Sequence, residues 1–245
     1  MNIKNFTYIV FILSLLACSN DGDSNTQNSD VGQGGSLAQF TISGNYLYTV
    51  DNASLNVFNI TNTESPVQVN TAYIGFDIET LFNDKEYLYI GSETGMFIYS
   101  ISNPESPQKL AEVSHFRACD PVIANDTHAF VTLDGSLGCG GNISALQIYD
   151  ITKISEPVLV SQRNLIAPKG LALFNNYLFV CDDEVKIFDI SNPKESVFVN
   201  SINVSAFDVI IRNEHLFVIG KTNLYQYQLD KNDINNIKIL STINI

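Results

Sequence analysis

Carboxylates recur at one point of a repeating pattern in this 245-residue chain, and they are the first candidates for chemistry. Asp77 or Glu79, Asp120 and Asp208 each stand at the start of a short apolar run, and Gln39 and Lys169 hold the matching places in two further repeats. Three acids converging on one point would suit a cation or a sugar hydroxyl, or supply the acid and base of glycoside hydrolysis. His115 and Arg117 stand near Asp120 and add a titratable ring and a fixed positive charge. No Ser or Cys nucleophile is positioned by spacing against a histidine, no His pair has metal-ligand spacing, and no Gly-rich phosphate loop leads from a strand into a helix. His128 and His215 replace the Tyr of the other repeats, which marks them as packing residues. The residues thus point to no catalytic group, no resident metal and no cofactor.

The pattern that places these residues repeats five times. One phrase starts at Tyr46, Tyr87, His128, Tyr177 and His215, at spacings of 41, 41, 49 and 38 residues. A second phrase follows from Leu55, Met96, Leu146, Val185 and Leu224. Each repeat reads as four short strands rich in β-branched and aromatic residues; in the fourth repeat they fall at 170–174, 177–181, 185–190 and 197–202. Pro66, Pro104, Pro107, Pro157 and Pro193 gather in the turn between third and fourth strands, where no ladder hydrogen bond is lost. Asp150 and Asp189, just before that turn, are placed to accept its backbone amides. A period near forty built from β segments is the mark of a propeller. The expected fold is all-β, five four-stranded blades closing by packing blade on blade. The alternative is an open arc, or another blade count, completed by association. First-strand starts and second-to-third-strand loops share one face, here the top.

Strings such as Asp189-Ile190-Ser191-Asn192-Pro193, following a Tyr-Leu-Phe-Val strand, resemble LVIVD repeats, which are found in secreted bacterial propellers. The resemblance covers residues 37–245. It is good in repeats two to four, weaker in the first, which has Asn62-Thr63 in place of Asn-Pro, and slight in the fifth. It implies a fold and no particular activity. The absence of Trp speaks against tryptophan–aspartate propellers.

Residues 1–17 have one basic residue, Lys4, before an apolar run too short to span a bilayer, as a secretory signal does. Leu15, Leu16, Ala17 and Cys18 resemble a bacterial lipobox, which implies cleavage before Cys18 and lipid on its thiol. Residues 18–36 are polar and rich in Gly, Ser and Asn, as expected of a flexible tether. Asp21 and Asp23 resemble the acidic export signal of Bacteroidetes surface lipoproteins, so the expected address is the outer membrane, with possible display at the cell surface. Without Lys4 the chain has 12 basic and 26 acidic side chains, a net charge of −14. That balance argues against nucleic acid, whose phosphates need clustered Lys and Arg. The expected function is a monomeric, non-enzymatic, lipid-anchored module that binds an envelope protein or glycan. The competing readings are a carbohydrate-active hydrolase using the channel carboxylates and a structural subunit of an outer-membrane uptake complex.

The connection between the second and third strands measures 9, 9, 18, 8 and 9 residues from phrase to phrase. Repeat three therefore carries an insertion at 134–144, and a loop that breaks a regular scaffold is a candidate for function. It contains Cys139, while Cys119 lies at the start of the first strand in the same repeat. Both fall on the top face, and an exported chain meets oxidising conditions. A Cys119–Cys139 disulfide would stabilise the fold by roughly 3 kcal/mol in the entropic account. Cys181 is the competing partner, although its place at the end of a regular strand suits a packed thiol. Peptide mapping without reduction is expected to recover the linked Cys119–Cys139 fragment, with Cys181 alkylated only after unfolding. Three alkylatable thiols in the unfolded, unreduced chain would rule out the bond.

Overall fold

The computed structural model describes residues 31–32, 35–114, 121–135 and 143–245. β1 (Val31–Gly32) leads into blade 1, formed by β2 (Phe40–Ser43), β3 (Tyr46–Val50), β4 (Ser54–Asn59) and β5 (Val67–Tyr73). Blade 2 is β6 (Ile78–Asp84), β7 (Tyr87–Ser92), β8 (Gly95–Ser100) and β9 (Gln108–Ser114). Blade 3 is β10 (Val122–Ala124), β11 (His128–Leu133), β12 (Ala145–Asp150) and β13 (Val158–Asn164). Blade 4 is β14 (Leu171–Phe174), β15 (Tyr177–Cys181), β16 (Val185–Asp189) and β17 (Val197–Ile202). Blade 5 is β18 (Asp208–Arg212), β19 (His215–Ile219), β20 (Asn223–Gln228) and β21 (Lys238–Asn244). The strands of each blade pair antiparallel in chain order, and the five blades form a ring, a five-bladed β-propeller. Successive first strands adjoin one another, which puts β2, β6, β10, β14 and β18 around the axis.

Local chemistry repeats with the blades. The turn after the third strand is capped by a side-chain oxygen that accepts the amide two residues on. Asn59 takes Thr61 at 2.9 Å, Asp150 takes Thr152 at 2.9 Å, Asp189 takes Ser191 at 2.8 Å and Asp230 takes Asn232 at 2.9 Å. In blade 2 the Ser100 hydroxyl does this for Ser102. These bonds hold the Asp150 and Asp189 carboxyls below their ordinary pKa, Asp150 through Thr152 and Asp189 through Ser191. Every pairing of third and fourth strands also shifts register just before an aromatic residue: Phe58, Tyr99, Tyr149, Phe188 and Tyr227. Such a bulge sharpens the local twist, and a propeller blade needs that twist from axis to rim.

Residues alternate between the two faces of each blade, so neighbouring blades share a core. Tyr48, Leu55 and Val57 of blade 1 pack with Leu88 and Ile90 of blade 2. Tyr89 and Ile98 face the other way, toward Val122 and Val131 of blade 3. Phe130 and Ile148 meet Leu178 and Phe188 of blade 4. Phe179 and Ile187 meet Val209, Leu216 and Val218 of blade 5. Among the described residues no buried apolar cluster joins blade 5 to blade 1. Leu47 and Phe58 of blade 1, and Phe217 and Ile219 of blade 5, stay half-buried. Packing of blade on blade thus accounts for four seams, and the chain leading into blade 1 bridges the fifth.

The bridge is short and polar. Ser36 is 1% exposed, so the packed fold includes a residue that composition alone assigns to the tether. Its hydroxyl donates to Asp208 of blade 5 at 3.2 Å and accepts the Leu171 amide of blade 4 at 2.8 Å. The Ala38 carbonyl accepts the Leu81 amide of blade 2 at 2.7 Å. A Cβ on Gly35 would run into the Asp208 carboxylate, which makes glycine necessary there.

The unequal seams predict unequal costs for equal truncations. Phe179→Ala, at a fully buried ring between blades 4 and 5, should cost about 3–5 kcal/mol. Phe217→Ala, on the half-buried side of β19, should cost about 1 kcal/mol. Urea melts of the two variants measure the difference; equal losses would show that the fifth seam is packed like the others.

Candidate functional site

The first-strand starts that the sequence singles out do lead the chain into each blade, but they are not equivalent. Asp208 is the first residue of β18. Its carboxylate accepts the Ser36 hydroxyl and the Val209 amide, the latter at 2.9 Å, and the Leu37 amide also bonds it. Gly35 and Gly170 flank it closely. Burial pushes its pKa up to about 6, against the opposing pull of those three donors. Lys169 lies near the same point. It and Asp208 act with opposite sign on the thiol of Cys181, whose pKa is raised chiefly by burial. Cys181 is fully buried in the core between blades 4 and 5.

In blade 2, β6 starts at Ile78 and its pairing shifts register between Ile78 and Thr80, which puts Glu79 in a bulge. Asp77 sits ahead of it with φ +55°, and its carbonyl accepts the Glu93 amide at 3.0 Å. Both acids are engaged within the fold. Asp120, His115, Arg117, Cys119, Cys139 and the lipobox Cys18 lie outside the described residues. Among the described residues no group of three or more His, Cys, Asp or Glu side chains is arranged to hold a metal ion.

The acidic turn Asp182-Asp183-Glu184 proves to be a clamp. Asp182 is buried and accepts the Ile166 amide at 3.0 Å and the Ala167 amide at 2.6 Å. Lys186 pairs with Asp182 at 2.7 Å and Asp183 at 2.6 Å. The carboxylate therefore fixes the connection from blade 3 to blade 4. That connection and its counterparts present apolar side chains outward: Phe76 is 70% exposed, Ile166 62% and Phe207 39%. Single exposed apolar residues are ordinary, but these recur on top-face connectors beside Asp77, Lys169 and Asp208. The sequence carried a signal for two of them, the repeated Phe-Asp pairs Phe76-Asp77 and Phe207-Asp208.

Inside the ring lies a cavity of about 960 Å³ that runs from Gly35 and Ser36 at the top to Gly44, Lys85 and Glu86 at the bottom turns. The first strands line it mostly with apolar side chains, with Thr41, Ser43, Asn83 and Asp84 as their polar exceptions. Asn83 donates to the Lys85 and Tyr87 carbonyls and so fixes its own hairpin. Burial raises the pKa of Asp84. Lys85 pairs with Asp126 of the next blade rather than reaching into the cavity mouth as a free charge.

Comparison with known proteins agrees with this architecture. The LVIVD repeat family matches residues 34–74, 85–113 and 168–204. The match takes in the first, second and fourth repeats and falls on neither the third, which carries the insertion, nor the fifth. Similar folds occur in a protein from Lactobacillus plantarum, with TM-score 0.64 and 13% identity over 83% of this chain and 67% of that one. The computationally designed Ika8 protein aligns with TM-score 0.59 and 11% identity over 83% of this chain. Hsv2p of Kluyveromyces lactis aligns with TM-score 0.53 and 10% identity over 82% of this chain. The chain spans 60% of the length of each of these last two. At such identities the likeness is one of fold. The UDP-N-acetylglucosamine--N-acetylmuramyl-(pentapeptide) pyrophosphoryl-undecaprenol N-acetylglucosamine transferase of Bacillus pumilus is 27% identical over 173 residues, 64% of this chain but 45% of the transferase. That partial match does not carry its activity here. The chain carries LVIVD repeats, and its five-bladed ring is consistent with the LVIVD repeat family.

The half-buried Asp208 carboxyl makes a test by pH. An ordinary Asp titrates near 3.8, and Asp208 near 6. Between those values the folded chain holds a proton that the unfolded chain has released. Stability attributable to this group therefore falls as pH rises from about 4 to about 6 and is level above that. Asp208→Asn keeps an acceptor for Ser36 and Val209 and removes the charge. Relative to the parent it should be more stable at pH 7.5 by on the order of 1–3 kcal/mol, with the gap closing near pH 4. Thermal melts from pH 4 to 8 decide; a gap independent of pH would show that Asp208 titrates normally.

Proposed function

We propose that this LVIVD-repeat propeller is a non-enzymatic interaction module, held at the cell envelope by lipid on Cys18, that binds a protein or glycan through its top face. The observation that carries the reading is the set of exposed Phe76, Ile166 and Phe207 on connectors whose backbone amides are hydrogen-bonded to neighbouring elements. Rigid aromatic and aliphatic groups beside charged ones suit contact with the apolar faces of sugar rings or with protein surfaces. β11 ends and β12 begins on the same face, so the insertion that the sequence places between them starts and ends there, and a Cys119–Cys139 link would tether it. Binding rather than hydrolysis is favoured because Asp208, the best-described acid of the proposed catalytic set, is wrapped by Ser36, Gly35 and Gly170. A carboxylate so enclosed is poorly placed to meet a glycosidic oxygen. Support for an outer-membrane uptake complex is a narrower form of the same reading, with a protein as the partner.

Two measurements test the parts separately. Intact mass of the mature chain should show acyl groups on Cys18 that Cys18→Ala abolishes; an unmodified thiol removes the anchor from the proposal. A glycan array and capture from solubilised envelope, run with the parent and with Phe76→Ser/Ile166→Ser/Phe207→Ser, test the face. Binding should fall at least about tenfold in the triple variant and stay unchanged in the bottom-face variant Glu86→Lys. Retention of binding in the triple variant would move the site elsewhere.

A further inference from the structure

The N-terminal segment does more than bridge a seam. β1 pairs antiparallel with β2 on the edge that faces the axis, Val31 opposite Ser43 and Gly32 opposite Ile42. β2 runs from the top, where the Gln39 carbonyl accepts the Val50 amide beside the turn into β4, to the bottom turn at Gly44. Val31 therefore lies at the bottom end of β2. Ser36, five residues later, lies at the top, bonded to the starts of β14 and β18. The Ala38 amide then donates to the Gly35 carbonyl at 3.0 Å, and the chain turns back down into β2. Four residues from Gly32 to Ser36 can cover at most about 14 Å, enough for the climb along the four-residue β2.

We propose that the N-terminal segment threads the central channel from bottom to top, so that the chain before Val31, with Cys18, leaves the ring on the face opposite Phe76, Ile166 and Phe207. The channel edge of β2 is then occupied by the protein's own strand, and the Ser36–Asp208 contact is the top end of that strap. Where Cys18 carries lipid, which rests on the reading above, the bottom turns face the bilayer and the top face points away from it. From Cys18 to Val31 the chain reaches at most about 45 Å, so the bottom turns can approach the bilayer closely.

The threading is tested in the full mature chain by paired cysteines. Val31→Cys with Ser43→Cys places two residues directly opposite in an antiparallel pair, within disulfide range. Val31→Cys with Asn52→Cys places the second thiol at a top turn. Mapping without reduction should recover the 31–43 link in more than half of the chains and no 31–52 link. A 31–52 link, or no link in either variant, overturns the threading. Orientation is read in phosphatidylcholine vesicles with nitroxide headgroups, using a fluorophore on Glu86→Cys or on Asn52→Cys and the parent chain as background. Quenching should be about twofold or more stronger at position 86; equal or reversed quenching overturns the orientation. Failure of the chain to join the vesicles would sink the lipid anchor, while the cysteine pairs would still decide the threading.

Discussion

One hydroxyl group holds three parts of the ring in register. Ser36 Oγ has a single proton to give and gives it to Asp208, the first residue of blade 5. The same oxygen takes the amide of Leu171, the first residue of blade 4, while the backbone around it leads into blade 1. Only a small side chain that donates and accepts at one atom satisfies both neighbours in a space that Gly35 and Gly170 leave so narrow. The other four seams rest on apolar burial, which is non-directional and tolerates small shifts. A polar bridge is directional and fixes where blade 1 begins relative to blades 4 and 5. The cost is a carboxyl kept partly out of water, visible in its raised pKa.

The two faces of the ring are built on different principles. Every bottom turn after a third strand carries the same cap two residues back from the amide it accepts, whether from Asn59, Ser100, Asp150, Asp189 or Asp230. The turn of blade 5 is longer than the other four, and there the cap moves past the strand end to Asp230. Among the described residues the top turns are less uniform, although the Asp51 amide donates to the Ser54 carbonyl in blade 1 just as Gly220 donates to Asn223 in blade 5. Asp51 accepts the amides of Ala53 and Ser54, Asp182 reaches across to another connector, and blade 5 closes with Gly220 bonded to Asn223.

Most of the fold was legible because each blade is fixed by local rules. The fourth repeat's strands fall within one residue of their sequence-based bounds, since period-two apolar runs between Gly, Asn and Pro turns leave little choice. The Asp150 and Asp189 caps were legible for the same reason. What escaped depends on contacts across the ring. Ser36 sits in a string of Gly, Ser and Asn that reads as tether, and nothing local distinguishes it from Ser19 or Ser24. Its partner Asp208 lies 172 residues away. The half-packed fifth seam was also invisible, because Phe217 and Phe58 have the same pattern as aromatic residues that are buried elsewhere. The Asp182 clamp was not legible either, because the connector it holds lies a strand pair away in sequence.

These differences bear on where recognition can reside. A binding surface has to vary without disturbing the scaffold, and in this ring the largest departure from the common pattern lies on the top face. There the long connection of blade 3 departs from Leu133 and rejoins at Ala145, with both flanking strands keeping an unbroken six-residue register. An insertion of that size at a capped bottom turn would displace the bulge that follows it and the twist of the outer strand. The bottom also has the greater structural duties, since its hairpins close the cavity wall through Asn83 and pair blade 2 with blade 3 through Lys85 and Asp126. The bottom end is thus the more uniform of the two, and the top differs more from blade to blade. A partner that reads this protein is best met at the end where the blades are no longer alike.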